Sequence, residues 1–317
     1  MVDVTVVIPV YNGEKTIKKC IESVLSQTLG SIEVIVVNDG STDKTEDIIK
    51  SFADPRIKLI TTENSGQGYA RNRGIDLAEG SYIGFVDADD TVEPDMYEVM
   101  HTFAVENGAD VVQCAINDIT SHGVQSRPCM ETEFVKITDI ADYTNRYFYT
   151  MKHTNEVCNK LFSVEFLKNS GMRFSDTNEV FSEDLKFNID MLSYIHGIGF
   201  INKAFYNYYI SDSGHCRNAS PERAEKILKL YISATENMTN KLVQRAVRSM
   251  GVVNVLLYCV PVIDKAGHIV CSKALKKFMI SSCLYKKTLK HTLLMAALIL
   301  LPCKIKKRLI VRQYTFN

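Results

Sequence analysis

Val4 to Val10 is a β-branched run with no polar alternation, and it predicts a strand buried on both faces. Asn12-Gly13 marks a turn. Ile17, Cys20, Ile21, Val24 and Leu25 then recur at helical spacing. Ile32 to Val37 reads as a second strand. Ser41-Thr42-Asp43 offers N-cap candidates for a helix through Ile48, Ile49 and Phe52. Ile57 to Ile60 and Tyr82 to Val86 predict two more strands, separated by a helix over Gly66 to Ala78. Glu93 to Glu106 predicts a further helix with Pro94 in its first turn. Farther on, Ala109 to Ile116 and the tyrosine-rich Ala204 to Ile210 read as strands. Phe181 to Leu192 reads as a helix, and another begins near Ser220-Pro221-Glu222 with Ile227, Leu230, Tyr231, Ala234, Met238 and Leu242 as its apolar stripe.

Strand–helix–strand repetition predicts an α/β fold: a Rossmann-like, mainly parallel sheet flanked by helices, followed by a C-terminal helical extension. Two domains are expected, residues 1–216 and 217–317. The first divides into halves of about 1–110 and 111–216. In such sheets ligands bind beyond the carboxyl ends of the strands, and the polar clusters fall there. Pro9 to Asn12 follow the first strand, Asn38-Asp39-Gly40 the second, and Asp87-Ala88-Asp89-Asp90 the fourth. No G-x-G-x-x-G follows the first strand, and there is no Walker phosphate loop.

Five segments stand in order along the chain. They are Val6-Val7-Ile8-Pro9-Val10-Tyr11-Asn12, Val36-Val37-Asn38-Asp39-Gly40-Ser41-Thr42-Asp43, Asn64-Ser65-Gly66 with Ala70-Arg71-Asn72, Phe85-Val86-Asp87-Ala88-Asp89-Asp90, and Ser182-Glu183-Asp184. Together they resemble the inverting family 2 glycosyltransferases of the GT-A fold. The resemblance covers roughly residues 3 to 212 and is dense over the first 95. It implies a nucleotide-sugar donor, with a UDP-sugar expected, and transfer to an acceptor hydroxyl in cell-surface polysaccharide or glycan synthesis.

The resemblance places Pro9, Tyr11, Asn12, Asp39, Asn64, Gly66, Arg71, Asn72 and Asp87 on the donor side. Asp39 would accept from the imide N–H of the base, or else be a turn residue. Pro9 and Tyr11 would line the base pocket, or simply pack at a strand end. Arg71 would pair with phosphate or hold the base-side loop; on a helix face it could equally be a solvated charge. A diphosphate leaves only when its charge is neutralised, and Mg²⁺ or Mn²⁺ can do this through oxygen ligands. Asp89 is implied as the direct ligand, with Asp87 nearer the ribose or a metal-bound water. Helix capping is the structural alternative for both. His215 is a loosely aligned third candidate. Asp184 is implied as the general base, or else it simply favours the positive N-terminus of a helix, as Glu183 would. Glu183 is its neighbour, and on a helix the two side chains point about 100° apart, which argues against a shared job. Asn159-Lys160-Leu161-Phe162 places Lys160 on the acceptor side.

Composition changes this picture in two places. Nine cysteines are scattered with no C-x-x-C pair, which suits reduced thiols and a cytoplasmic chain. Formal net charge is zero, yet from Lys265 onward there are 12 basic and no acidic residues. The first 264 residues thus keep 25 basic against 37 acidic, a balance of −12. The basic tail, 286–317, flanks the apolar run Leu293 to Pro302, which is too short to span a bilayer of about 20 residues. It is either an interfacial helix on anionic headgroups at the inner face of the membrane, or a core helix followed by a basic surface helix. Membrane attachment would suit a lipid-linked acceptor. No signal peptide is visible, and no nucleic-acid partner is expected. The absence of tryptophan, and so of the Q-x-x-R-W signature of processive synthases, favours addition of one sugar or few. A nucleotidyltransferase and a non-catalytic sugar-nucleotide-binding scaffold are the competing readings.

Overall fold

The computed structural model describes residues 2–127, 131–148, 150, 152–177, 180, 182–210, 221–236, 238–248 and 250–251. Two compact units divide the chain. The first comprises 1–138, 152–179 and 183–214; the second takes 139–151, 180–182 and 215–317. His215 and the basic tail 286–317 lie outside the described residues.

In the first unit β1 (Val4–Val10), β2 (Ile32–Asp39), β3 (Ile57–Thr62) and β4 (Tyr82–Phe85) pair in parallel in the order β3-β2-β1-β4. Every residue of β1 and β2 is buried, as continuous apolar runs require. One face of β1 packs Val4, Val6 and Ile8 with Ile17, Cys20, Ile21 and Val24 of α1 (Ile17–Leu25). On the other face lies α3 (Gln67–Leu77). Gly74 lets α3 approach closely, because a Cβ there would come within 2.4 Å of the Val7 side chain. Ala is favoured over Gly in a helix by about 1 kcal/mol, but overpacking costs about 1–3 kcal/mol. Gly74→Ala is therefore expected to lower the denaturation midpoint, and Gly74→Ala with Val7→Ala to recover part of it.

The sheet becomes mixed beyond β4. β9 (Lys160–Ser163) lies antiparallel between β4 and β6 (Val111–Thr120), and β10 (Gly197–Tyr209) runs parallel to β6. β5 (Thr91–Val92), β7 (Gly123–Arg127) and β8 (Glu133–Lys136) add short antiparallel pairings. Four-residue strands with polar ends, such as β9, carry too little periodicity to be read from sequence.

Two helix starts differ from expectation. α2 (Thr45–Lys50) begins after Lys44, and none of Ser41, Thr42 or Asp43 is its N-cap. Asp43 still accepts from the Thr45 amide at 3.0 Å. α4 is Met96–Asn107, so Pro94 precedes it. Thr91 and Val92 pair with Asn207 and Tyr206, and the Glu93 amide bonds to the Phe205 carbonyl at 2.8 Å. These bonds keep the chain extended up to the proline, which itself biases Glu93 that way.

Past the sheet's midpoint, α6 (Val164–Ser170) follows β9 directly, capped by Ser163, and α7 is Glu183–Met191. An aromatic cluster seats α7. Phe187 stacks on Phe174 at 4.1 Å between centroids and meets Phe162 edge-on, while Phe85 meets both Phe162 and Phe174. In the second unit, α5 (Ile140–Tyr143) is capped by Asp139 and runs into a π-helical turn, Thr144–Phe148. There α8 (Pro221–Glu236) starts at the proline, as its sequence predicts.

Candidate active site

The carboxyl ends of β1, β2 and β4 bring the expected donor-side residues together. Asn12 adopts φ 52°, a left-handed conformation that Asn tolerates. It also ties two loops: its amide bonds to Ser41 Oγ at 2.9 Å, and its Oδ1 accepts from the Thr42 amide at 2.8 Å. Tyr11 is 52% exposed beside it, a free aromatic face, whereas Pro9 is buried within β1.

Asp39 is buried and already holds a loop. Its Oδ1 accepts from the Ser65 amide at 2.9 Å, and its Oδ2 from the Gly66 amide at 2.8 Å. Oδ1 accepts also from Thr62 Oγ1 at 3.3 Å, so the second lone pair that remains is on Oδ2. Gly40, at φ +74°, allows the backbone of exposed Asn64 to lie against it; a Cβ there would come within 2.7 Å of Asn64 N. Asn72 spends its amide on Phe174, donating to the carbonyl at 2.9 Å and accepting from the N–H at 2.8 Å. That makes it a strut for the segment under α7.

Arg71 is not the solvated charge that its helix position allowed. It is 1% exposed. NH2 donates to Asp87 Oδ1 at 2.9 Å, and NH1 to Glu183 Oε1 at 2.7 Å and Asp184 Oδ1 at 2.6 Å. Phe174 lies 5.3 Å beneath the guanidinium. NH1 is thus committed to Glu183 and Asp184 and NH2 to Asp87, so Arg71 links the loop after β4 to the start of α7. Glu183 and Asp184 correct a second expectation. Although adjacent in a helix, they converge on one nitrogen, because Arg71 sits at the N-terminus of α7 between their two directions.

Asp184 sits in this cluster with its side chain 23% exposed. Burial raises its pKa, Arg71 pulls it down, and Glu183 and Asp87 push it up again, leaving it at about 7. A carboxylate poised there can take a proton near neutral pH. Lys160 is corrected too. It is fully buried, and its ammonium donates to the Thr154 carbonyl at 2.8 Å and to the Glu156 carbonyl, so it braces that loop and does not face an acceptor. Burial lowers its pKa to about 8.

The carboxylates after β4 differ in their commitments. Asp87 Oδ1 accepts from Arg71 and from Gln67 Nε2 at 2.9 Å. Asp90 is buried and structural: its oxygens accept from Tyr206 Oη at 2.7 Å and the Tyr209 amide at 2.8 Å. Asp89 is exposed and takes no cation from the described residues. Its surroundings nonetheless raise its pKa, first by desolvation and then by the charge of Asp87. An uncompensated carboxylate beside another fits a divalent cation. Among the described residues no group of three or more His, Cys, Asp or Glu forms a metal cage. One or two carboxylates, with substrate phosphates and water completing the shell, is the mode Mg²⁺ prefers.

Gln67 and Tyr206 were not singled out from sequence. Gln67 follows Gly66 at the start of α3, which aims it at Asp87. Tyr206 Oη accepts from the Asp87 amide at 3.1 Å while donating to Asp90. Only the fold joins β10 to the loop after β4.

Strand order, covered faces and carboxylates at the strand ends define a GT-A type α/β domain. The solved structure of TarS 1-349 from S. aureus in complex with UDP-GlcNAc superposes with a TM-score of 0.71 at 20% identity, over 98% of this chain and 89% of that one. The glycosyl transferase family 2 model matches residues 5–181, and the chain belongs to that family. YibD of Escherichia coli, described as an uncharacterized glycosyltransferase, is 46% identical over 112 residues, 35% of this chain and 33% of YibD. EpsJ of Bacillus subtilis, described likewise, is 33% identical over 213 residues, 65% of this chain and 60% of EpsJ. The chain thus spans less than two thirds of each relative. No helix of the described residues is long and apolar enough to cross a membrane.

Proposed function

We propose that the protein is a metal-dependent, inverting glycosyltransferase that moves a sugar from a UDP-sugar to an acceptor hydroxyl in the synthesis of a cell-surface polysaccharide. The observation that carries this is the Arg71 bridge, which ties Asp87 at the donor side to Asp184, a carboxylate whose pKa lies near neutrality.

Tyr11 offers its exposed face to the base, and the remaining lone pair of Asp39 Oδ2 accepts the imide N–H. Asp89, assisted by Asp87, would hold Mg²⁺ or Mn²⁺, which supplies Lewis-acid neutralisation of the departing diphosphate. Asp184 takes the proton of the acceptor hydroxyl as its oxygen attacks the anomeric carbon from the face opposite the diphosphate. The attacking oxygen forms the new glycosidic bond while the bond to the diphosphate breaks, so an α-linked donor gives a β-glycoside. Arg71 holds Asp184 in place from behind.

The donor site is tested by thermal shift with UDP, dTDP, GDP and CDP, each with and without Mn²⁺. A ligand that binds only the folded state raises Tm by mass action, about 2.7 kcal/mol of stabilisation at a hundred times Kd. UDP is expected to stabilise the protein, more so with Mn²⁺. Asp89→Ala should abolish the Mn²⁺ increment alone, and Asp39→Ala should weaken UDP with or without metal. No shift with any nucleotide would support a scaffold of the same fold instead.

A further inference from the structure

A cavity of about 490 Å³ opens beside Asp89 on the α1 face of the sheet. Lys15 and Thr16 line it just ahead of α1, Lys19 from the first turn of α1, Thr120 from the end of β6, Ser121 from the turn between β6 and β7, and Tyr209 from the end of β10. The charge pattern is anomalous. The first turn of α1 carries no acidic residue but does carry Lys18 and Lys19, the sign that a helix N-terminus disfavours.

Lys18 is answered by Glu22 one turn on. Lys15 and Lys19 have no carboxylate within ion-pair distance among the described residues. Lys19 Nζ instead donates to Tyr209 Oη at 2.6 Å and lies 4.1 Å from its ring centroid. That contact fixes the ammonium at the cavity wall without neutralising it. Asp89 and Asp90 are also in the wall, but both oxygens of Asp90 are taken by Tyr206 and Tyr209. Two cations without a carboxylate partner, a helix N-terminus and the hydroxyls of Thr16, Thr120 and Ser121 thus converge on one space, against the single uncompensated carboxylate of Asp89. An oxyanion entering it would accept charge-assisted bonds and relieve the repulsion around α1.

We propose that this cavity is a phosphate subsite, held by Lys15 and Lys19, for a phosphoryl group of a substrate. The subsite rests on the glycosyltransferase reading for its place in the reaction but not for its chemistry. The phosphoryl group can come from the nucleotide donor or from a phosphate-bearing acceptor.

Calorimetric titration of the full-length protein with glycerol phosphate, UDP and uridine, in EDTA, tests it against Lys15→Gln/Lys19→Gln. Glycerol phosphate is expected to bind the wild type and to weaken about tenfold or more in the variant, with uridine unchanged. If UDP weakens in parallel and competes with glycerol phosphate, the donor supplies the phosphoryl group. If UDP is unchanged and both bind together, the acceptor does. Glycerol phosphate that does not bind, or binds both proteins alike while UDP is unchanged, overturns the subsite. Should the double variant also lose uridine, the exposed single Lys15→Gln variant decides by the same criteria. Failure of UDP and uridine to bind the wild type would instead count against the glycosyltransferase reading.

Discussion

Asp184→Asn is expected to lower kcat/KM for sugar transfer by about 10²–10⁴-fold, the usual contribution of a positioned base, while leaving UDP affinity by calorimetry unchanged. The substitution keeps the shape and the acceptor oxygen facing Arg71 but removes the proton acceptor. In the native protein, burial, Glu183, Asp87 and Glu156 raise the pKa of Asp184 and Arg71 opposes them, with a net value of about 7. The base works only when ionised. Transfer should therefore be slow below that pKa, rise tenfold per pH unit through acid pH and level off above it. Asp184→Asn should lose the rise as well as the rate. An Asn variant that keeps native kcat, or a native profile flat from pH 5 to 8, would remove Asp184 from the role of base.

Arg71→Met should produce the largest loss of stability. The methionine fills part of the stem's volume but leaves Asp87, Glu183 and Asp184 without the cation that joins them. Removing one partner of a buried ion pair typically costs about 3–5 kcal/mol. The sign of its pH dependence follows from linkage. Without Arg71, Asp184 keeps the burial and the neighbouring carboxylates that raise its folded pKa and loses the cation that opposes them, so the folded state holds more protons. The variant is then most stable at acid pH and loses stability as pH rises through that folded value. Denaturation at pH 5 and pH 8 should show the deficit against wild type growing with pH. Arg71→Lys should recover only part of the stability, since one ammonium cannot supply two separately directed nitrogens to three carboxylates. A deficit independent of pH would mean that packing on Phe174, not charge, is what Arg71 contributes.

These two residues also mark how far the chain could be read without its structure. β1, α1 and the beginnings of β2 and β3 stood out because residues buried on both faces, or on one helical stripe, leave an apolar pattern that local sequence must carry. The carboxylates were legible for the same local reason: Asp39, Asp87 and Asp89 follow recognisable strands, and an α/β sheet exposes such residues at its ligand-binding edge. Asp184 was legible only through its resemblance to the family motif.

What Arg71 does was not legible. Its partners lie 16, 112 and 113 residues away, and residues 66–79 read alone allow a solvated helix face. Lys160 was misplaced for a related cause: an isolated lysine reads as a reaching charge until the loop at Thr154–Glu156 closes over it. The short antiparallel strands beyond β4 leave too few periods for a pattern. Sequence by itself thus determined the parallel half of the sheet and the acids on its rim, because burial and turn chemistry act within a few residues. Tertiary structure alone decided that Glu183 and Asp184 share one guanidinium and that Lys19 stands at a cavity wall, because a buried charge is defined by partners that the fold brings from elsewhere.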